Sequence, residues 1–207
     1  MSHDIYTEPA DVDFDTLSHL GPLAALAGTW EGQGVDTHPV AEGTEDEPFL
    51  ERLVFEPIDP QLNGPQLLYG LRYHAHITKV GETETFHDQV GYWLWEPATG
   101  TLWQTLAIPR AQVAMATGQA APGARRFSVK ATLGSPTAGI VSAPFLDRHF
   151  RTVEYTFTLT ALDDGRIAYE QDTVLQVEGR PAPFHHLDRN TLRRVAPPTR
   201  NPGAPAR

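Results

Sequence analysis

The chain has 207 residues, 40% of them hydrophobic, no cysteine and a formal net charge of −10. One domain with a substantial core is the default at this length. Disulfides and thiolate metal sites are excluded, and the acidic balance argues against a nucleic-acid surface, whose affinity rests on Lys and Arg. No apolar run approaches the roughly 20 residues of a membrane span. The opening Met1-Ser2-His3-Asp4 lacks the basic-then-apolar pattern of a secretory signal, so a cytoplasmic protein without a membrane partner is expected.

Residues 1–14 read as an N-terminal extension. A short helical pattern follows from Asp15 to Ala27 and breaks at Gly21-Pro22. Next comes Leu26-Ala27-Gly28-Thr29-Trp30-Glu31-Gly32-Gln33-Gly34, a tryptophan set among glycines. This suits the first strand of a small antiparallel barrel. The ring can plug the floor, and glycine lets the backbone bend or approach a neighbouring strand closely.

Ten strand-like runs follow, at 29–35, 49–57, 66–78, 85–95, 101–108, 112–117, 127–133, 152–161, 166–177 and 186–195. Their Val, Tyr, Thr and Phe content and their alternation support them. Pro97-Ala98-Thr99-Gly100 and Asp163-Asp164-Gly165 are hairpin turns. The pattern predicts an all-β domain over 15–196, a closed antiparallel barrel of about ten strands or else a sandwich. Closure would remove sheet edges, which invite aggregation. Three stretches interrupt the rhythm. Residues 39–48 are acidic and read as a surface loop. Residues 134–149, with Pro136, Gly139 and Pro144, read as a loop with a short helix that could cap a barrel mouth. Residues 197–207, rich in Pro, read as a disordered tail.

No Ser-His-Asp signature, phosphate loop or dinucleotide fingerprint is visible. The nine histidines carry the chemical interest. His185 and His186 are neighbours, so in a strand at most one faces the interior. Leu192 shares parity with His186, whereas Leu187 and Val195 share parity with His185; alternation leaves the choice open, and both could be surface residues beside Pro181 and Pro183. His74 and His76 lie on one face of a strand. They could bind a divalent metal if a third ligand converged, but none is evident, and a solvent-facing pair is the simpler reading. His87 opens an apolar strand, either as a pocket wall or as a solvated strand end.

Pro109, lacking an amide donor, marks an edge, bulge or turn. Arg110 beside it could grip a carboxylate through its guanidinium fork or simply be an exposed turn residue. Arg189, Arg193, Arg194 and Arg200 form the main basic concentration, read as a solvated strand end plus tail, with an acidic group at a barrel rim as the alternative partner. Trp93, Trp95, Trp103, Phe127, Phe145, Phe157 and Tyr169 could line a cavity or fill a solid core.

Three stretches in order carry a resemblance: Gly28-Thr29-Trp30-Glu31-Gly32-Gln33-Gly34, then His87-Asp88-Gln89-Val90-Gly91-Tyr92, then His186-Leu187 followed by Leu192 and Arg194. Together, over roughly residues 20 to 196, the chain resembles the nitrobindin family, haem-binding β-barrels of the lipocalin and fatty-acid-binding-protein type. Imidazole is a usual protein ligand of haem iron. The resemblance implies haem b held by one axial histidine, His186, with His185 as runner-up. It places His87 on the distal side of the pocket and Thr29, in the opening signature, among the cofactor-binding candidates. Arg110 would suit a haem propionate. An open iron position would take nitric oxide or serve peroxynitrite isomerisation to nitrate. Gln89 stands where the family usually has an acid. The alternative function is a non-catalytic carrier or sensor of a fatty acid or other apolar carboxylate, its head group held by Arg110 or a rim arginine.

Overall fold

Phe127, Val129 and Ala131 are buried and alternate with exposed Ser128, Lys130 and Thr132, the two-residue period of a strand with one face inward. The same alternation recurs along most of the chain. In the computed structural model, which describes residues 4–205, it gives β1 (Gly28–Pro39), β2 (Thr44–Pro57), β3 (Gln61–Asn63), β4 (Gln66–Lys79), β5 (Thr85–Glu96) and β6 (Thr101–Ile108). There follow β7 (Gln112–Gln119), β8 (Arg126–Thr132), β9 (Ile140–Ser142), α1 (Pro144–His149), β10 (Phe150–Ala161), β11 (Ile167–Val177) and β12 (Phe184–Ala196).

Ten of these strands form a closed antiparallel barrel. β2 pairs with β4 and β1 with β12, so the ring runs β1, β2, β4, β5, β6, β7, β8, β10, β11, β12 and back to β1. The barrel expected from the sequence is therefore present, and the sandwich is not. Two short strands lie off the ring: β3 pairs with β4, and β9 pairs with the start of β7. The hairpin turns at 97–100 and 163–165 fall where expected, with Gly100 and Gly165 at positive φ.

The acidic stretch 39–48 is mostly strand. β1 and β2 pair through Pro39 and Thr44, leaving a loop of only 40–43, because cross-strand pairing continues past the acidic side chains. The helical pattern at 15–27 becomes two 3-10 turns, Thr16–Ser18 and Gly21–Ala25. Gly21 divides them at φ +55°, and a Cβ there would lie 2.5 Å from the Trp95 indole nitrogen.

These turns cover one end of the barrel. Leu20, Leu23 and Leu26 pack with Trp30, Trp93 and Trp95 in a continuous core. Trp30 is fully buried, its Nε1–H donates to the Leu26 carbonyl at 2.6 Å, and the Arg194 guanidinium lies 4.6 Å above its ring. Part of the Pro-rich tail touches this end of the barrel through Arg200, Asn201 and Gly203. Asn201 is 3% exposed; its Nδ2 donates to the Phe14 carbonyl and to Asp59, and its Oδ1 accepts from the Thr16 amide. One well-placed amide side chain supplies the hydrogen bonds that the flanking prolines cannot. Residues 1–3 and 206–207, at the ends of the extension and the tail, lie outside the described residues. Among the described residues no helix is long and apolar enough to cross a membrane.

Candidate functional site

Away from the Trp30 floor the barrel is hollow. A cavity of about 620 Å³ opens past Phe86, Arg110, Phe145 and Phe150. This lies within the range of small-molecule sites. Leu53, Phe55, Ile77, Trp93, Leu106 and Phe157 supply apolar wall.

One wall is strongly polar, and strand parity explains it. On β1, Trp30, Gly32, Gly34 and Asp36 share one face; on β12, His186, Asp188, Asn190 and Leu192 do. Asp36, His186 and Asp188 line the cavity. His186 Nε2 lies 2.6 Å from Asp36 Oδ1 and 4.0 Å from Asp188 Oδ1. Burial alone would lower the His186 pKa, but the Asp36 hydrogen bond and the charges of Asp188 and Asp36 outweigh it, and the net shift is upward. Burial pushes the Asp188 carboxyl up to about 6, against the opposing charge of His186. His38 stands beside them, its buried Nδ1 3.6 Å from Asp36 Oδ2 and without a hydrogen bond.

Deeper in, Glu51 accepts from Tyr169 Oη at 2.9 Å and from Asn190 Nδ2 at 2.8 Å. Gly32 makes room for this: a Cβ there would lie 2.7 Å from Asn190 Oδ1. Burial pushes Glu51 up to about 7, with the like charge of Asp188 adding to it.

Across the ring on β5, His87 lines the cavity with Nε2 3.4 Å from Gln89 Oε1. Burial, with Arg110 adding, lowers its pKa below the usual histidine range, so its imidazole is neutral at neutral pH. Gln89 donates to Tyr73 Oη at 2.7 Å, a bond that an ionised acid at this position could not make. Arg110 sits in the β6–β7 turn with Pro109 and Ala111, the latter at φ +56°. Its side chain is exposed at the cavity mouth, and no ion pair holds it among the described residues.

The family model for a THAP4-like, heme-binding beta-barrel domain matches residues 19–194. The chain belongs to this family. The protein named peroxynitrite isomerase 2 in Mycobacterium ulcerans is 34% identical to it over 149 residues, covering 70% of this chain and 81% of the relative. The protein of the same name in Mycobacterium marinum matches with the same identity and coverage. Among solved structures, Rv2717c from M. tuberculosis superposes with a TM-score of 0.60 at 20% identity, covering 86% of this chain and 96% of the other, which is a likeness of fold.

The pocket of this heme-binding barrel fits the group its family binds. It combines a cavity of about 620 Å³, apolar walls, an inward imidazole with a carboxylate partner, and at the mouth an arginine without an ion pair among the described residues. The residues that could hold haem are His186 and Arg110, with His87 on the facing wall.

His185 points outward and bonds Asp172 at 2.8 Å, so the two neighbouring histidines separate by strand alternation. Thr29 does not line the cavity. It precedes inward-facing Trp30 at the floor end and so falls on the other face of β1. His74 bonds Asp88 and His76 bonds Thr85 on the outer surface. The basic cluster is also outside: Arg189 pairs with Glu170, Arg193 with Glu31 and Arg200 with Asp15, while Arg194 covers Trp30. Of the aromatic candidates, Trp93, Phe145, Phe157 and Tyr169 line the cavity; Trp95 and Phe127 pack in the core, and Trp103 lies on the opposite strand face from buried Leu102 and Gln104.

Sequence reading missed Asp36, Asp188 and Glu51. A signal for each was present. Asp36 shares parity with Trp30, and Asp188 shares parity with His186. Glu51 was marked in the same way, as an acid sharing parity with Phe49, Leu53 and Phe55 on the apolar face of its strand.

Proposed function

We propose that this barrel holds haem b through His186, binds nitric oxide there, and converts peroxynitrite to nitrate. The observation that carries the reading is His186, facing the cavity with Nε2 held by Asp36. A metal-bound histidine commonly gives its other ring N–H to a carboxylate, which fixes the ring and raises its basicity. The names of the two mycobacterial relatives support the activity. Haem iron, when bound, supplies an electrophilic position open to nitric oxide or a peroxynitrite oxygen.

The chain's own residues supply the rest. Asp36 orients His186. Arg110 offers a bidentate fork to a propionate at the mouth. His87, neutral and lining the cavity, would offer an N–H to an oxygen of a small ligand there. Phe145 and Phe150 line the entrance and limit water.

The test is to add haem to the haem-free protein and record visible spectra with and without oxygen. The expected result is a sharp Soret band that saturates at one haem per chain, and faster peroxynitrite decay with a raised nitrate yield. Absence of that band, with a fatty acid retained in native mass spectrometry, would replace this reading with the carrier.

A further inference from the structure

Glu51 is 5% exposed and lines the cavity from β2. Both of its donors, Tyr169 Oη and Asn190 Nδ2, fall on the same oxygen, Oε2. Oε1 takes part in no hydrogen bond among the described residues, and the Oδ1 of its donor Asn190 is itself buried without a partner. No Lys, Arg or His pairs with the carboxyl among the described residues. No cation faces it among the described residues: β1 places Gly32 and β4 places Ile77 in register with it, β11 brings the Tyr169 hydroxyl, and β12 brings Asn190 and the like charge of Asp188, while His186, further along β12, is turned to Asp36 on β1. An ionised carboxylate buried without a cation is costly, and such a group takes up a proton instead.

A second hydroxyl in this cavity is in a similar position. Tyr73 Oη accepts from Gln89 at 2.7 Å and from Gln104 at 3.4 Å, and its own proton has no acceptor among the described residues. Gln104 Oε1 is instead taken by Tyr155 Oη. The Tyr73 hydroxyl is thus an O–H donor in want of an acceptor, as a protonated Glu51 would be.

We propose that Glu51 is a protonated acid whose Oε1–H donates into the depth of the cavity, forming a subsite for the oxygen of a small oxyanion. When the proton is lost, the carboxylate repels the same anion. The subsite bears on the substrate class of the proposed reaction, but its chemistry does not need the haem.

Glu51→Gln is the discriminating variant. Its amide oxygen can accept from Tyr169 and Asn190 while its NH₂ permanently replaces the O–H. Nitrate is the probe, because it stays an anion throughout, and the haem-free protein is titrated calorimetrically. With the Glu51 pKa at about 7, wild-type affinity should fall about 30-fold between about pH 6 and about pH 8.5, following the fraction of protonated acid. Glu51→Gln should lose most of that fall.

Infrared difference spectra, wild type minus Glu51→Gln, should show a protonated carboxyl band at the lower pH that is gone at the higher. Should Glu51→Gln fail to fold, Tyr169→Phe decides: removal of a donor to Oε2 should move loss of the band to higher pH. No carboxyl band, no nitrate binding at either pH, or an undiminished pH dependence in Glu51→Gln would each overturn the proposal. Because these readouts use haem-free protein, failure of haem loading leaves them intact.

Discussion

His186 Nε2 and Asp36 Oδ1 meet at 2.6 Å across the β1–β12 pair, joining residues 150 positions apart. The first and last strands of the ring thus build the site at the pairing that closes the barrel. If Asp36 orients His186 for iron, Asp36→Asn should weaken haem binding by roughly 10- to 100-fold, the usual cost of losing such a partner. Haem titration followed at the Soret band measures this; unchanged affinity would show that the contact is only structural.

Trp30 closes the floor and does not line the cavity. Trp30→Ala should cost about 3–5 kcal/mol, the typical loss for a buried aromatic, and lower the thermal midpoint with or without haem. Haem affinity measured well below that midpoint should be unchanged. A stable variant with selectively lost haem binding would put Trp30 in the site.

His87 faces the cavity as a neutral imidazole. The wild-type ferric spectrum should be high-spin, with one protein ligand. His87→Ala should still bind haem and nitric oxide, with nitric oxide release altered by loss of a hydrogen-bond donor. A low-spin wild-type spectrum that turns high-spin in His87→Ala would show two histidine ligands and leave no place for a gas.

Glu51 also makes stability depend on pH. Its pKa is raised from 4.5 to about 7 on folding, so between these values the folded state holds a proton that the unfolded state has lost. Its contribution is fully present below pH 4.5 and is lost as pH rises through about 7, on the order of 3 kcal/mol in total. Denaturant unfolding of haem-free wild type and Glu51→Gln should therefore diverge across this window, with the variant gaining relative stability toward pH 8. Parallel curves would contradict a proton held by Glu51.

The barrel was legible because its signals are local. Alternation, as at Phe127, Val129 and Ala131, and turns such as Asp163-Asp164-Gly165 depend on a few adjacent residues. The contacts of the tail were not legible, because Asn201 reaches Phe14 and Asp59, residues far away along the chain. The site was half legible. His186, His87 and Arg110 stood out by residue type and resemblance, and the structure brings all three to one cavity. Parity on β12 could not separate His185 from His186 because apolar residues fall on both faces; closure of the ring fixes which face is inside. Thr29 was carried along with its motif, although its neighbour Trp30 takes the inward position. Parity with Phe49 and Leu53 turns Glu51 inward, but its partners on β11 and β12, at 118 and 139 residues' separation, meet it only in the closed ring.

Paired haem titrations of His186→Ala and His185→Ala, each checked for an intact barrel by circular dichroism, test the axial assignment most directly. His186→Ala should lose most haem affinity and the wild-type spectrum, while His185→Ala, altered only on the outer surface, should keep both. A wild-type spectrum in His186→Ala would contradict the assignment; if His185→Ala lost it instead, the ligand would be the neighbouring residue.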